Sequence, residues 1–229
     1  MIPRIVHQIY WPFDGKTKLN DISEFRESVE KTEKYCIEND IKHILWDYEK
    51  CNKLIDKYPE QRDLWNDFDK PIQNVDFIRY LILYHQGGIY LDCDVYPIRS
   101  MEQLFDEDIF LAQWASDEKN TPYNAIMGSI PKHPFWEDIF QHCEESFYEK
   151  SQMEIYKTWK ARYIFHTTGH CMIKRVMNQK KHKNKIKLIK CVSVWNNCKN
   201  ICDIPDANKA VFFDCSRSYW YKDNSMGNA

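Results

Sequence analysis

Two carboxylates, Asp92 and Asp94, close a short apolar segment that runs from Ile89 to Val95. On a regular β-strand, residues two apart point to the same face, so the two side chains are expected to converge. Carboxylates held close together repel each other unless a cation or a hydrogen-bond donor neutralises them. Oxygen ligands of this kind suit Mg²⁺ or Mn²⁺, which commonly complete their coordination with water and substrate phosphates. The pattern therefore predicts a divalent-metal site that can neutralise a diphosphate leaving group.

A second polar pair, Asp76 and Arg79, lies on a predicted helix over residues 72–85. Apolar side chains cover a broad arc of this helix and leave the pair on one narrow face. On an exposed face the pair would be an intrahelical ion pair worth about 0.2–0.5 kcal/mol. Leu83 lies beside the pair, so we expect a buried helix whose polar stripe points into a site. Asp accepts hydrogen bonds from hydroxyls and Arg donates to oxygen or phosphate, which makes the pair a candidate for sugar recognition.

The elements that must position these residues alternate between strands and helices. Strands are predicted at 2–11 and 41–46, and helices at 20–39 and 48–58. Gly87-Gly88 can take the left-handed backbone that ends helices, so the 72–85 helix leads directly into the segment with the two carboxylates. This alternation predicts an α/β fold, in which ligands bind beyond the carboxyl ends of the strands. Further strands are predicted at 109–114, 186–189 and 210–213, and further helices at 134–147 and 170–177.

The composition bounds the class of protein. A chain of 229 residues with 43% hydrophobic residues can form one sizeable domain. The net charge is −2, and the basic run at 180–185 is better explained as solvated surface, so nucleic acid is not expected as a partner. No transmembrane segment or signal peptide is visible, so we expect a soluble protein, cytoplasmic or otherwise intracellular. The many Lys, Asn and Ile residues indicate an AT-rich genome, as in a virus or a low-GC bacterium.

The motifs taken together resemble a known family. The stretches 76–80 and 83–95, with the opening segment 2–11, look like the core signature of the DXD-containing sugar transferases of glycosyltransferase family 32. That family includes initiating mannosyltransferases and capsular polysaccharide transferases. The resemblance implies a single GT-A (Rossmann-like) nucleotide-sugar-binding domain over residues 1–229, with a mixed central sheet flanked by helices. Residues 1–115 would bind the sugar donor and the metal, and residues 116–229 would form the acceptor side and the tail.

The activity that this resemblance implies is retaining transfer of a hexose or N-acetylhexosamine. The sugar donor would be UDP- or GDP-linked, the acceptor a glycan, glycolipid or protein, and Mn²⁺ or Mg²⁺ the cofactor. The implied catalytic set is Asp76, Arg79, Asp92 and Asp94, of which Asp94 and Asp92 would ligate the metal. The implied nucleotide-binding set is His7, Gln8, Trp11, Tyr80 and Asp92, and the acceptor-side set is Asn124, Gly128, Thr168 and Gly169. An alternative interpretation is that His7, Gln8 and Trp11 belong to a buried core strand and have no ligand. The alternative for the acceptor-side set is that these residues form ordinary turns.

The tail departs from the family pattern. The family commonly ends in an aromatic stretch that contains a histidine and closes with Ser-Trp. Here residues 218–226 contain no histidine, and Met226 stands where the tryptophan is expected. Either Asp223, Asn224 or Trp220 takes the place of the histidine at the metal site, or the tail site is altered.

Two other functions fit parts of the sequence. A nucleotide-sugar-binding module that has lost turnover would be consistent with the altered tail. A metal-dependent phosphatase of the haloacid-dehalogenase type also uses a D-x-D motif, with its first Asp as nucleophile. Those phosphatases usually have Thr or Val two residues beyond the second Asp, where this chain has Tyr96. The sequence therefore favours the transferase.

Overall fold

The computed structural model describes residues 1–114, 121–193 and 210–215. The strands are β1 (Ile5–Ile9), β2 (Lys42–Trp46), β3 (Gly88–Leu91), β4 (Val95–Pro97), β5 (Ile109–Trp114), β6 (Pro122–Ser129), β7 (Lys187–Ser193) and β8 (Phe212–Asp214). The helices are α1 (Ser23–Glu38), α2 (Tyr48–Ile55), α3 (Pro59–Asp67), α4 (Pro71–Gln86), α5 (Glu102–Phe105), α6 (Pro134–Ser151), α7 (Glu154–Thr158), α8 (Lys160–Thr167) and α9 (His170–Met177), with a 3-10 turn at Leu19–Asp21.

The eight described strands form one mixed sheet in the order β2-β1-β3-β6-β5-β7-β8-β4. β1 pairs in parallel with β2 and β3, whereas β6 runs antiparallel to both β3 and β5. β3 and β4 lie five positions apart in this order, which is about 24 Å in a flat sheet. The chain from Leu91 to Val95 can reach at most about 15 Å, so the sheet must curl to bring β4 near the end of β3. The predicted α/β class is confirmed.

Helix α4 and strand β3 place the predicted polar residues at the centre of the molecule. Pro71 begins the helix, where its missing N–H costs no hydrogen bond. Eleven of the helix residues are buried, which confirms the buried helix predicted at 72–85. Gly87 ends the helix with a φ of +66°, and Gly88 begins β3 with a φ of +98°. A Cβ on Gly88 would lie 2.7 Å from the Ile5 carbonyl oxygen, so this close approach of β3 to β1 requires glycine.

Two hydrophobic clusters cover the sheet. The larger contains the buried faces of α4, α6 and α9 together with Tyr90 and Met127 from the sheet. The smaller contains Val6, Ile89, Phe110 and Phe212 and packs against α1 and α5. Successive residues of a strand point to opposite faces, so β3 contributes Tyr90 to one cluster and Ile89 to the other. Both faces of β3 are therefore buried, and its carboxyl end is where polar residues emerge.

Several features differ from the sequence-based expectations. The predicted strand over 89–95 is two strands, β3 and β4, with a turn between them. Residues 122–129, for which no strand is predicted, form β6 in the middle of the sheet. Residues 59–67 form α3, which was not predicted.

No helix in the described part of the chain is long and apolar enough to cross a membrane. The division into halves at 115/116 stays a prediction, and strands from both halves neighbour each other in the sheet.

Candidate active site

A cavity of ≈ 130 Å³ opens at the carboxyl ends of β1 and β3. Polar and apolar side chains share its wall: Ile9, Tyr10, Trp11, Pro12, Phe13, Asp14, Thr17, Phe25, Ile72, Val75, Arg79, Tyr90, Asp92, Cys93, Asp94 and Tyr123. The carboxyl ends of neighbouring parallel strands are the expected place for a ligand site in an α/β fold. The structure thus brings Arg79, Asp92 and Asp94 together, as the sequence predicted.

The two carboxylates lie in a turn, which corrects the expectation that they share a regular strand. The ladder of β3 ends at Leu91, and the Val95 N–H donates to the Asp92 carbonyl oxygen at 3.0 Å. Asp92 and Asp94 are both partly exposed, whereas Cys93 between them is buried. Convergence on one cavity therefore arises from the turn and not from the two-residue period of a strand.

Arg79 connects the helix carboxylate to the turn carboxylate. One of its terminal nitrogens, Nη2, lies 3.1 Å from Asp76 Oδ1, and the other, Nη1, lies 3.0 Å from Asp92 Oδ1. Nη1 also donates to the Asn124 carbonyl oxygen at 2.9 Å. The guanidinium stands 4.9 Å from the centre of the Tyr90 ring, and the Tyr90 hydroxyl donates to Asp92 Oδ1 at 2.7 Å. Asp92 is thereby oriented by two donors on one of its oxygens.

Asp76 lies behind Arg79 and does not line the cavity. It is 4% exposed, and its two oxygens accept hydrogen bonds from the side chains of Asn124 and Thr168 at 2.9 Å each. Burial raises the pKa of Asp76 to about 6, against the lowering effects of Arg79 and Thr168. Burial would lower the pKa of Arg79, but the nearby Asp92, Tyr90 and Asp76 raise it above its ordinary value. In this structure Asp76 therefore fixes Arg79 and does not itself reach the cavity.

The carboxylates of the site are groups that a divalent cation prefers as ligands. Asp76, Asp92 and Asp94 against one guanidinium leave an excess of two negative charges. Asp92 has a side chain 30% exposed, and its Oδ2 accepts no hydrogen bond from the described residues. Within the described ranges no three His, Cys, Asp or Glu side chains are grouped so as to hold a metal ion. Two carboxylates in an open cavity fit Mg²⁺ or Mn²⁺, which retain water and substrate phosphates, and do not fit a closed structural site.

The predicted nucleotide-binding residues divide into two groups. Trp11 lines the cavity, and its contact with a nucleotide stays a prediction. His7 and Gln8 are fully buried and do not line it, so in this conformation neither can border a nucleotide. His7 Nε2 donates to the Gly87 carbonyl oxygen and its Nδ1 accepts from Trp46, which is the hydrogen bonding of a neutral core histidine. Tyr80 is also buried, and its hydroxyl donates to the Thr168 carbonyl oxygen at 2.6 Å.

The predicted acceptor-side residues divide in the same way. Asn124 and Thr168 meet at Asp76 and so belong to the polar network behind the cavity. Gly128 lies within β6, where an added Cβ would be 2.1 Å from the Phe110 ring, so its role is packing. Gly169 precedes the first residue of α9, and a Cβ there would approach the Phe165 backbone at 3.0 Å. The tail candidates Asp223 and Asn224 lie outside the described residues.

Several cavity residues were not predicted as functional. Tyr10 and Phe25 face each other edge to face, with ring centres 6.1 Å apart. Tyr90 and Tyr123 line the same wall near the carboxylates. The signal for Tyr10 was its place at the end of the first strand, and the signal for Tyr90 was its position two residues before Asp92. Phe25 and Tyr123 carry no local signal, because only the tertiary fold brings α1 and β6 to this cavity.

The chain is similar in sequence to known glycosyltransferases. Residues 23–111 match the model of a family described as the glycosyltransferase sugar-binding region containing the DXD motif. Mannosyl phosphorylinositol ceramide synthase CSH1 of Saccharomyces cerevisiae is 34% identical over 186 residues, which cover 79% of this chain and 44% of that protein. Uncharacterized glycosyltransferase L373 of Acanthamoeba polyphaga mimivirus is 29% identical over 145 residues, which cover 62% of this chain and 55% of that protein. The chain thus spans about half the length of these two relatives.

A solved structure supports the fold. The PaToxG glycosyltransferase aligns with a TM-score of 0.54 at 14% identity, covering 78% of this chain and 70% of that chain. At this identity the likeness concerns the fold alone, which is the GT-A-type α/β fold that the sequence resemblance implied. The matched segment 23–111 contains α4, β3 and the turn with both carboxylates. By their sequence motifs and this match, residues 23–111 belong to the glycosyltransferase sugar-binding region that contains the DXD motif.

Proposed function

We propose that this chain transfers a hexosyl or N-acetylhexosaminyl unit from a UDP- or GDP-linked sugar donor to a glycan, lipid or protein acceptor. Transfer would retain the anomeric configuration, and Mn²⁺ or Mg²⁺ would assist departure of the nucleoside diphosphate. The observation that carries the proposal is that Asp92, Asp94 and Arg79 share one cavity with a cluster of aromatic side chains.

The cavity offers a different surface to each part of such a sugar donor. Tyr10, Trp11 and Phe25 supply flat apolar surfaces on which a nucleobase can stack. Asp92 and Asp94 would hold the metal ion, which when bound supplies positive charge to the diphosphate oxygens. Arg79 would donate to an oxygen of the sugar or of the diphosphate, and Asp76 would keep the guanidinium in place.

Retention is supported by the absence of a good base among the described residues that line the cavity. An inverting transferase needs a general base within hydrogen-bond reach of the acceptor hydroxyl. Asp14 lines the cavity, but hydrogen bonds from Thr17 and Lys16 lower its pKa to about 2. His166 and His170 do not line it, and burial lowers the pKa of His170 to about 4. A leaving phosphate that accepts the acceptor's proton would make a protein base unnecessary.

The names of the relatives favour particular substrates. Three relatives at 32–36% identity are named as mannosyl phosphorylinositol ceramide synthases or an inositol phosphoceramide mannosyltransferase. We therefore extend the proposal to a mannosyl unit and a glycolipid acceptor. A human alpha-1,4-N-acetylglucosaminyltransferase is 41% identical over 75 residues. Its name supports an N-acetylhexosaminyl unit as the alternative to a mannosyl unit.

Hydrolysis of the sugar donor tests the reaction class. The chain is incubated with a panel of UDP- and GDP-linked sugars and Mn²⁺, and the free sugar and nucleoside diphosphate are quantified. We expect slow release from one sugar donor, which EDTA abolishes and added Mn²⁺ restores. Asp94→Asn keeps the size of the side chain but removes its charge, and it should release far less free sugar and nucleoside diphosphate than the wild type. Turnover that continues in excess chelator would refute metal assistance, and binding without release would identify a binding module.

The stereochemistry and the phosphatase alternative are tested separately. Proton NMR of the first-formed product from an α-linked sugar donor should show an α-linkage. A β-linked product would refute retention and direct attention to His166 and His170.

Release of inorganic phosphate from simple phosphomonoesters, with no release of sugar from any sugar donor, would favour the phosphatase.

A further inference from the structure

The turn that carries Asp92 and Asp94 is held by the buried side chain of Gln8. Gln8 lies on β1 and is fully buried. Its Nε2 lies 3.2 Å from the Asp92 carbonyl oxygen and 3.5 Å from the Val95 carbonyl oxygen. Asp92 and Val95 are the two ends of the turn, because the Val95 N–H donates to the Asp92 carbonyl oxygen. One side-chain amide therefore ties both ends of the turn to β1.

His43 on the neighbouring strand fixes the orientation of this amide. Its Nε2 lies 2.9 Å from Gln8 Oε1. An amide oxygen only accepts hydrogen bonds, so His43 Nε2 must carry the hydrogen. The opposite orientation of the Gln8 amide would put its oxygen against two carbonyl oxygens. A chain of hydrogen bonds thus runs from β2 through β1 to the turn.

Other contacts fix the remaining backbone of the turn. The Cys93 thiol donates to the Ile9 carbonyl oxygen at 3.1 Å. The Asp92 N–H donates to the Ala125 carbonyl oxygen, and the Asp94 carbonyl oxygen accepts from the Cys215 N–H, each at 2.9 Å. The Val95 carbonyl oxygen also accepts from Thr32 Oγ1 on α1 at 3.3 Å. Each of these contacts holds one point of the turn, whereas the Gln8 amide reaches both ends. The separation of the two carboxylates depends on how the ends of the turn are held.

We propose that Gln8 is a positioning residue of the metal site, which sets the spacing of the Asp92 and Asp94 carboxylates without touching the metal. The inference rests on the proposed metal-assisted function. Mg²⁺ demands near-ideal octahedral geometry, so a turn that relaxes presents its carboxylates less well. Substituting residues that orient metal ligands typically lowers metal affinity by about 10- to 100-fold.

Gln8→Met is the direct test, because methionine has nearly the same length and cannot donate a hydrogen bond. Binding of Mn²⁺ to the full chain is measured from the electron paramagnetic resonance signal of free Mn²⁺, with and without UDP or GDP. Thermal unfolding of the metal-free chain is followed in parallel. We expect the Kd for Mn²⁺ to rise by about 10- to 100-fold in Gln8→Met.

Two further variants separate positioning from general stability. Ser129→Ala removes a buried hydrogen bond from Trp136 Nε1 to Ser129 Oγ, away from the turn, and should lower the Tm without changing the Kd for Mn²⁺. His43→Phe leaves Gln8 in place but frees its amide, and should weaken Mn²⁺ binding in the same direction by a smaller factor. It also serves if Gln8→Met does not fold, because β2 is an edge strand and His43 is only part-buried.

The outcomes distinguish the two proposals. If Gln8→Met and His43→Phe bind Mn²⁺ as tightly as the wild type while their Tm falls as in Ser129→Ala, Gln8 merely supports the core and the inference is overturned. If the wild-type chain binds no Mn²⁺, even with UDP or GDP present, the proposed metal site fails and the role of Gln8 fails with it.

Discussion

Replacing Arg79 with methionine should show how the fold keeps Asp76 ionised. Arg79 is 3% exposed and Asp76 4%, so water can replace neither partner. Arg79→Met leaves Asp76 with neutral partners, Asn124 and Thr168, and without a compensating charge. Removing one partner of a buried ion pair typically costs about 3–5 kcal/mol. We expect a loss of this size in the free energy of unfolding at pH 7.

The same change should alter the pH dependence of stability. Burial already raises the pKa of Asp76 to about 6, above its value of about 4 in an unfolded chain. A raised folded pKa contributes stability that is fully present below about pH 4 and is lost as the pH rises through the folded pKa. In the wild type this loss is complete a little above pH 6. Without Arg79 the folded pKa rises further, so the loss continues through pH 7 and 8 at about 1.4 kcal/mol per pH unit.

Urea unfolding at pH 6, 7 and 8, followed by tryptophan fluorescence, measures both effects. The double variant Asp76→Asn/Arg79→Met has no titratable group at position 76 and should lose the additional slope. Asp92→Asn should cost less than Arg79→Met, because the Asp92 side chain is 30% exposed and water can solvate what remains. The reasoning is refuted if Arg79→Met follows the wild-type pH profile, or if it costs less than about 1 kcal/mol.

A buried histidine, a close-packed glycine and a cavity tyrosine give three further tests. Burial lowers the pKa of His7 to about 4, so stability present above pH 6.5 should fall by up to about 3 kcal/mol as the pH drops to 4. Urea unfolding of His7→Gln should lack this part of the slope, and an unchanged slope would contradict the assignment. Gly128→Ala puts a Cβ 2.1 Å from the Phe110 ring and should cost about 1–3 kcal/mol in the same assay, whereas wild-type stability would show that the strand can shift freely. Tyr90→Phe removes the 2.7 Å hydrogen bond to Asp92 and should lower kcat/KM for the sugar donor by about tenfold; an unchanged value would exclude that role.

The sequence predicted the parts of the site that have local signals. The period of apolar residues predicted the α4 helix, and Gly87-Gly88 predicted its end, because both effects act within a few residues. Asp92 and Asp94 were correctly expected to converge, although the reason given, a regular strand, was wrong. A turn of three residues between two short strands cannot be told from one strand by apolar pattern alone.

Other features depended on contacts between distant parts of the chain. His7 and Gln8 are polar residues in the first strand, and sequence alone could not say whether they face a ligand or the core. They face the core because β3 and the Asp92 turn supply their hydrogen-bond partners. Strand β6 was missed because Gly128 and Asn124 weaken its strand pattern, yet Gly128 is needed where β6 packs on Phe110. Such residues gain their roles only from tertiary packing.

The pairing of β4 with β8 has a consequence for how the protein folds. Arg99 donates to the carbonyl oxygen of Ala210, a residue 111 positions later. The Cys215 N–H donates to the Asp94 carbonyl oxygen. Closing so long a loop costs conformational entropy, and few contacts are available early in folding to offset it. These contacts should therefore form late. During synthesis, α4 and β3 can pack long before the ribosome releases β8. The Asp92 turn should therefore reach its final shape last, and a nascent chain that ends before β8 should have a folded core with an unfinished site.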